Sequence, residues 1–558
     1  MTVGTAGAAT VHAPSGMVAT ADHLASSAGV AALRAGGSAA DAAVAAGAVL
    51  AVTNQHQCGM GGDLFALVHR AGEPVVALCA AGRAGSGADA VQARVEGLAR
   101  LPAHGDVRAV TVPGCVDGWV ELHRRFGRLP FGQVLDAAIT YAATGFPVSP
   151  LLSASAPDIL DLEGAGDYLD PAMAAGGKLP PGTLIRRPGV ATALESVAAE
   201  GRAGFYLGTF GDGLVRLGAG LFTRDDLVRK QAEWVEPLSV GVWGHTVHVP
   251  PPPSQGYLVA AGAAVAAGLS LPDDPDDPAW AHVLAEAARA VGVDRDRVLH
   301  DGADGAGLLA PDRLDRQRAT VDPDRRADLA PLTRGGGTTV ACAVDRDRTG
   351  VTLIQSNASG WGAHIVEPET GVFLHDRGIG FGLAPGHPAL FAPGRRPPHT
   401  LAPALVTRPD GTLHAVLGSM GGDAQPQILL QLLARLLVHG QSPGRAVRAG
   451  RWVLAPGGPA NAPDSPADGP GGPVAPGGSG DDHAGFDLWT GDGPGAVEVE
   501  AHAPAGWDAG LAERGHEVRR AVDDIDHAFG HAQIIAVADG VLAGIADPRS
   551  FDGAASGY

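Results

Sequence analysis

Three pairs of short apolar runs, each pair joined by a turn, lie downstream of residue 338 and limit the fold more than any other feature. Thr339–Val344 and Val351–Ser356 flank the turn D-R-D-R-T. Ala404–Thr407 and Leu413–Leu417 flank Pro409-Asp410-Gly411, and Ile534–Val537 and Val541–Ile545 flank Asp539-Gly540. Apolar runs separated by Asp-Gly or short polar turns are hairpin signals. These runs carry little polar alternation, so each strand needs cover on both faces. Two antiparallel sheets stacked face to face, with helices outside, supply that cover. The run at 426–438, P-Q-I-L-L-Q-L-L-A-R-L-L-V, suits a helix of an outer layer. Periodicity alone supports an α+β fold.

The upstream half adds helices and one more hairpin. Residues 21–35 read as a small-residue helix stopped by Gly36-Gly37. Ser38, with Asp41 three residues on, makes a capping box for a second helix. Leu64–His69 and Val75–Cys79 flank an A-G-E turn, and residues 279–291 look helical. The Asp- and Arg-rich segment to about 330 leads to a cleavage loop, with D-R-D-R at Asp294–Arg297 read as a solvated charge cluster. Residues 455–484, rich in Pro, Gly and Asp, read as a disordered surface insertion.

Composition excludes several classes. The 558 residues, 45% hydrophobic with 82 glycines and 43 prolines, suit a globular chain with a large core and many turns. Met1 to Gly16 has neither a basic start nor an apolar stretch, and no run of 18 apolar residues occurs, so neither a secretory signal nor a membrane span is expected. Cys58, Cys79, Cys115 and Cys342 show no C-x-x-C spacing and read as buried thiols of a cytoplasmic chain. The net charge of −20, with Lys178 and Lys230 the only lysines, disfavours nucleic acid and anionic membranes as partners.

At Gly335-Gly336-Gly337-Thr338-Thr339 a glycine run meets two hydroxyl residues at the head of an apolar strand. Taken alone this is an ordinary loop-to-strand boundary. It is also a place where a Thr hydroxyl can attack the preceding carbonyl, because glycine accommodates distorted backbone at low steric cost. Cutting there would leave an α-amine, with a pKa of roughly 7.7–8.0, on the residue that carries the hydroxyl. That amine can act as the base for its own side chain.

Around this junction stand T-T-V-A-C-A-V-D from Thr338, L-I-Q-S-N from Leu353, W-G from Trp361, L-A-P-A-L-V from Leu401, G-S-M-G-G-D from Gly418 and a final A-D-P-R-S-F-D-G-A-A-S-G-Y. Upstream are G-M-V-A-T-A-D-H-L-A-S from Gly16, L-R-A-G-G-S-A-A-D-A-A-V-A-A from Leu33, G-M-G-G-D-L-F from Gly59, V-P-G-C-V-D-G-W from Val112 and P-P-P-S-Q-G-Y from Pro251. This ordered set resembles the γ-glutamyltranspeptidase family of N-terminal-nucleophile hydrolases from about residue 16 onward. The resemblance implies an αββα four-layer sandwich. It implies cleavage between Gly337 and Thr338 into a large piece, 1–337, and a small catalytic piece, 338–558, that stay together as one heterodimeric unit.

It also implies roles. Thr338 becomes the nucleophile, and Gly421-Gly422 match the glycine pair whose N–H groups bind the oxyanion. Ser356 falls where the family has a second Thr beside the nucleophile. Asn357 lies next to the position, Ala358, of a family Asn. His399-Thr400 replace a Ser-Ser pair that grips the substrate carboxylate. Two departures bear on substrate. The family's R-E-x-A-P is A-A-G-R-A-G here, so Arg83 is displaced by about two positions from the matched slot near Ala81. The family's M-D-D-F is Gly378-Ile379-Gly380-Phe381, which removes the carboxylate partner of a glutamyl amine, and a buried unpaired ammonium is costly.

With G-S-M-G-G-D, these departures resemble the branch of oxamate amidohydrolase-like and acylase-like proteins and of carbon–carbon hydrolases from antibiotic pathways. The expected activity is self-cleavage, then attack on an amide or keto-acyl carbon of a small carboxylate substrate, with Arg83, His399, Thr400 and Asn357 as substrate contacts. Release of an oxalyl group by carbon–carbon cleavage, true γ-glutamyl transfer, and an uncleaved binding protein are the alternatives. No cofactor and no metal are expected. Asp523, Asp524, Asp526, His527 and His531 match no compact ligand spacing and read as a solvated loop.

Overall fold

The computed structural model describes residues 10–329, 337–455, 495–522 and 529–558. Two seven-stranded sheets form its centre. The first runs Ala554–Gly557, Met17–Thr20, Gly337–Val344, Gly350–Ala358, Asp63–His69, Val76–Ala80, Glu233–Val235, antiparallel throughout. The second runs Val11–Ala13, Val541–Ala546, Ala532–Ala538, Leu413–Ser419, Ala404–Thr407, His245–Val249, Leu238–Val242, again antiparallel. The three hairpins downstream of 338 are all present.

The layering follows from strand alternation. Along Gly337–Val344, Val340, Cys342 and Val344 enter a core between the sheets with Phe65, Ile354, Leu405, Val416 and Ile535. Ala341 and Ala343 face the other way, into the core shared with helices His23–Arg34 and Ala39–Thr53. On the far side of the second sheet lie Gly256–Ala267, Pro278–Gly292 and Gln425–Leu437. Helix, sheet, sheet, helix is therefore the order of layers, with the 426–438 run in an outer one.

Ala39–Thr53 is buried along its whole length, which its Ala, Gly and Val composition permits, since small side chains let a helix lie close between neighbours. Ser38 and Asp41 form the capping box. Asp22 caps His23–Arg34 and also accepts from Asn54 Nδ2 at 2.9 Å, tying the start of one helix to the end of the next. All four cysteines are free and buried.

Three readings differ from the structure. The Asp294–Arg297 cluster is not wholly solvated: Arg295 is buried and pairs with buried Asp423 at 2.8 Å, and Asp294 pairs with Arg313 at 2.9 Å. Burial of the Arg stem and the opposite charge together draw it inward. Ala455, read as the first residue of the insertion, instead completes the strand Trp452–Ala455. The rest of 455–484 lies outside the described residues, as do Asp523, Asp524, Asp526 and His527. His531 is buried rather than in a solvated loop. No helix among the described residues is long and apolar enough to cross a membrane.

Candidate active site

Alternation also separates the two threonines. Thr338 shares the face of Val340 and Cys342, towards the gap between the sheets. Thr339 turns to the helix side, beside Cys58, whose thiol burial pushes up to about 11. The strand pairing breaks at this point. Gly337 stands opposite Ala358 and Thr339 opposite Gln355, so Thr338 faces two residues, Ser356 and Asn357. A bulge of this kind interrupts the ladder and re-aims side chains. The peptide before Thr338 thus leaves regular pairing next to the Thr338 hydroxyl.

Thr338 Oγ1 donates to Gly337 O at 2.7 Å and lies 3.3 Å from Ser356 Oγ. Ser356 Oγ itself donates to Gly337 O and accepts from Ala358 N at 2.8 Å. The carbonyl before Thr338 therefore receives two hydroxyl hydrogen bonds. Gly337 does not contribute through steric necessity: an added Cβ would meet nothing closer than Gln57 Cα at 3.4 Å.

Arg377, a residue the sequence reading passed over, completes the row. Its Nη2 donates to Ser356 Oγ at 3.2 Å and its Nη1 to Thr400 Oγ1 at 3.1 Å. The guanidinium is fully buried, and burial lowers its pKa to about 10 against the pull of Asp63, Asp376 and Asp423, so it stays charged at neutral pH. Asp63 forms the next layer. It accepts from Gly82 N at 2.9 Å and Gly114 N at 3.0 Å, and its Oδ2 lies 3.1 Å from His399 Nε2. Burial alone would raise Asp63, but His375, His399 and Arg377 outweigh it and bring the pKa to about 2.

His399 is committed at both nitrogens. Nδ1 accepts from Leu401 N at 3.3 Å, which assigns the proton to Nε2 and aims it at Asp63. Burial, then Arg377, lowers its pKa to about 3, so the ring is neutral. It orients the Thr400 segment and does not present a free donor. Arg83 is likewise engaged: it pairs with half-exposed Glu233 and donates to Lys230 O at 3.3 Å. Asn357 turns Nδ2 to Gln55 O at 3.0 Å, on the helix side. Of the expected site residues, the structure brings together Thr338, Ser356 and Thr400, and directs Arg83, His399 and Asn357 to other partners.

Gly421 and Gly422 follow the strand Leu413–Ser419, which lies across the gap: a Cβ at Gly418 would approach Val340 Cγ1 to 2.8 Å. Both have positive φ, 139° and 51°, a region that favours glycine. Their carbonyls are occupied, Gly421 O by Ala424 N at 2.8 Å and Gly422 O by Gln255 Nε2 at 2.9 Å. Two sequence signals were available for the missed residues. Asp63 closes the quoted G-M-G-G-D, and Arg377 directly precedes Gly378-Ile379-Gly380-Phe381. Charged residues embedded in apolar segments are the informative exceptions to burial.

The chain is similar to known proteins over nearly its full length. An oxamate amidohydrolase proenzyme of Klebsiella pneumoniae is 34% identical, with 97% of this chain and 98% of that protein covered. A glutathione hydrolase-like YwrD proenzyme of Bacillus subtilis is 31% identical over the same shares. The solved structure of a cephalosporin acylase from Bacillus halodurans superposes with a TM-score of 0.84 at 30% identity, covering 98% of this chain and 97% of that one. The family model for gamma-glutamyltranspeptidase matches residues 25–558, a span that holds both sheets' central strands, the Thr338 bulge and the Gly421-Gly422 turn. With a match of that extent, the chain belongs to the γ-glutamyltranspeptidase family.

Proposed function

We propose that this protein cuts itself between Gly337 and Thr338 and then hydrolyses an amide or keto-acyl bond of a small carboxylate substrate through an acyl-Thr338 intermediate. The observation that carries the reading is the set Thr338 Oγ1, Gly337 O and Ser356 Oγ, in hydrogen-bond contact at a bulge in the ladder. In the first step the Thr338 hydroxyl adds to the Gly337 carbonyl carbon while Ser356 donates to its oxygen. The carbon–nitrogen bond breaks, the hydroxyl proton passes to the departing amine, and water frees the Gly337 carboxylate. The new α-amine, with a pKa of roughly 7.7–8.0, then serves as base for the same hydroxyl.

In turnover that hydroxyl attacks the substrate carbonyl. The N–H groups of Gly421 and Gly422 are the donors to the oxyanion, an effect on the order of 3 kcal/mol per donor. The leaving group takes the proton from the amine, and water resolves the acyl-enzyme. The similarity to an oxamate amidohydrolase proenzyme favours a small acid amide. The missing Asp of M-D-D-F disfavours a γ-glutamyl amine.

Intact-mass measurement tests the first half of this reading. The natural chain should give two pieces meeting at Gly337/Thr338, and Thr338→Ala a single chain. Gly337→Ala should still be cut, since its Cβ meets only ordinary contacts. Efficient cutting of Thr338→Ala would sink the proposal, and a natural chain that stays whole would favour the binding-protein alternative.

A further inference from the structure

We propose that Arg377 is a positioning residue for self-cutting: by donating to Ser356 Oγ it leaves the Ser356 hydrogen only the Gly337 carbonyl to bind. The inference rests on the reading of Thr338 as the group that attacks that carbonyl.

Hydrogens and lone pairs decide the direction of each contact. A serine hydroxyl has one hydrogen and two acceptor lone pairs. Two groups that can only donate meet Ser356 Oγ: Arg377 Nη2 at 3.2 Å and Ala358 N at 2.8 Å. They fill both lone pairs, so the Ser356 hydrogen goes to Gly337 O, which can only accept. Thr338 Oγ1 also donates to Gly337 O, at 2.7 Å, and fills the second lone pair there. The 3.3 Å approach of Thr338 Oγ1 to Ser356 Oγ is then left without a hydrogen, in keeping with its length.

Direction matters once the carbonyl is attacked. As Thr338 Oγ1 adds to the Gly337 carbonyl carbon, the carbonyl electron pair moves to oxygen and the Thr338 proton leaves for the peptide nitrogen. The carbon–nitrogen bond then breaks, its electron pair stays on the nitrogen, and an ester joins Gly337 to Thr338 Oγ1. Ser356 is the donor that stays on the oxygen throughout. A Ser356 hydroxyl free to rotate would spend part of its time accepting from Thr338, with its hydrogen turned away from the oxygen that gains charge. Arg377 and Ala358 N remove that option before the reaction begins, which is the preorganisation that oxyanion sites use.

Arg377 is itself held in place. Its Nη1 donates to Thr400 Oγ1 at 3.1 Å, and Asp63 fixes the neighbouring His399. Asp63, Asp376 and Asp423 counter the effect of burial on its charge. Asp376 Oδ1 accepts from Ser359 N at 2.9 Å, so adjacent residues hold the Ser356 hydroxyl and the backbone just beyond it. Ala358 contributes through its backbone, so Arg377 is the side chain by which the count can be changed.

A double-mutant cycle on the rate of cutting at Gly337/Thr338, followed by intact mass of freshly made full-length chain, tests this. Arg377→Met should slow cutting about a hundredfold, the order of effect of one oxyanion donor, and Ser356→Ala by about as much. Arg377→Lys, which still only donates, should slow it by about tenfold or less. In the Ser356→Ala background, Arg377→Met should add less than about threefold, because the hydroxyl it aims is gone. A merely structural Arg377 would slow cutting equally in both backgrounds. That additive outcome overturns the proposal, as does cutting of Arg377→Met at the natural rate. If Arg377→Met fails to fold, Arg377→Gln, whose amide oxygen can accept the Ser356 hydrogen, runs the same cycle under the same criteria. A natural chain that stays whole refutes the Thr338 reading instead, so the two failures are distinguishable.

Discussion

At the scale of residues, the site is a small set of buried charges held by committed partners. Thr338 and Ser356 were marked by the ordered motifs shared with the family, since a hydroxyl at a loop-to-strand boundary or a strand end carries no pattern of its own. Arg377 was not, because a lone Arg next to G-I-G-F has no pattern until folding brings it under Ser356. His399 has the opposite history: its position before L-A-P-A-L suggests a substrate contact, and the tertiary structure gives both ring nitrogens other partners. This buried neutral ring makes a pH prediction. Its folded pKa of about 3 lies below the ordinary 6.5, so the unfolded chain takes up the proton first and stability falls as pH drops through that window. Asp63, lowered to about 2, contributes stability above pH ~4 that is lost only as pH falls towards 2. Urea midpoints should therefore decline from pH 6.5 downward, and His399→Gln should flatten that decline by up to about 1.4 kcal/mol per pH unit. His248 and His414, lowered to about 4 by burial, share the direction, so some slope persists. An unaltered slope in His399→Gln would show that the ring is not held neutral.

At the scale of elements, hairpins and helices were readable to within a residue or two because their turns and caps are local chemistry. The bulge was not. It depends on register between Gly337–Val344 and Gly350–Ala358, and register is set by what each face packs against. Gly62 helps hold the second strand in place. A Cβ there would lie 2.4 Å from Ser356 O and 2.8 Å from Asn357 Oδ1, so the strand end must move. Gly62→Ala should slow cutting at Gly337/Thr338 by about tenfold or more, the effect of only ~1.4 kcal/mol at the barrier. Gly166→Ala, with nothing within 4 Å of the added carbon, is the matched control. Equal cutting rates for the two variants on a time-course gel would show that the bulge tolerates displacement.

At the scale of the whole molecule, the strands from either side of Gly337/Thr338 interleave. Gly337–Val344 lies between Met17–Thr20 and Gly350–Ala358, and Gly350–Ala358 pairs onward with Asp63–His69. In the second sheet Ala404–Thr407 pairs with His245–Val249 and Val541–Ala546 with Val11–Ala13. Separating the pieces would break backbone ladders in both sheets and expose the core between them. The two pieces should therefore elute together on native size exclusion and part only in denaturant. Separate native peaks would contradict this interleaving.

Local composition by itself determined the strands, their turns and the capped helices, because each depends on residues within a few positions of one another. The tertiary structure alone decided which face Thr338 takes, which Arg lies near its hydroxyl and which histidine is already in use. Those outcomes depend on burial and register between segments hundreds of residues apart, such as Asp63 with His399, and no local pattern encodes them.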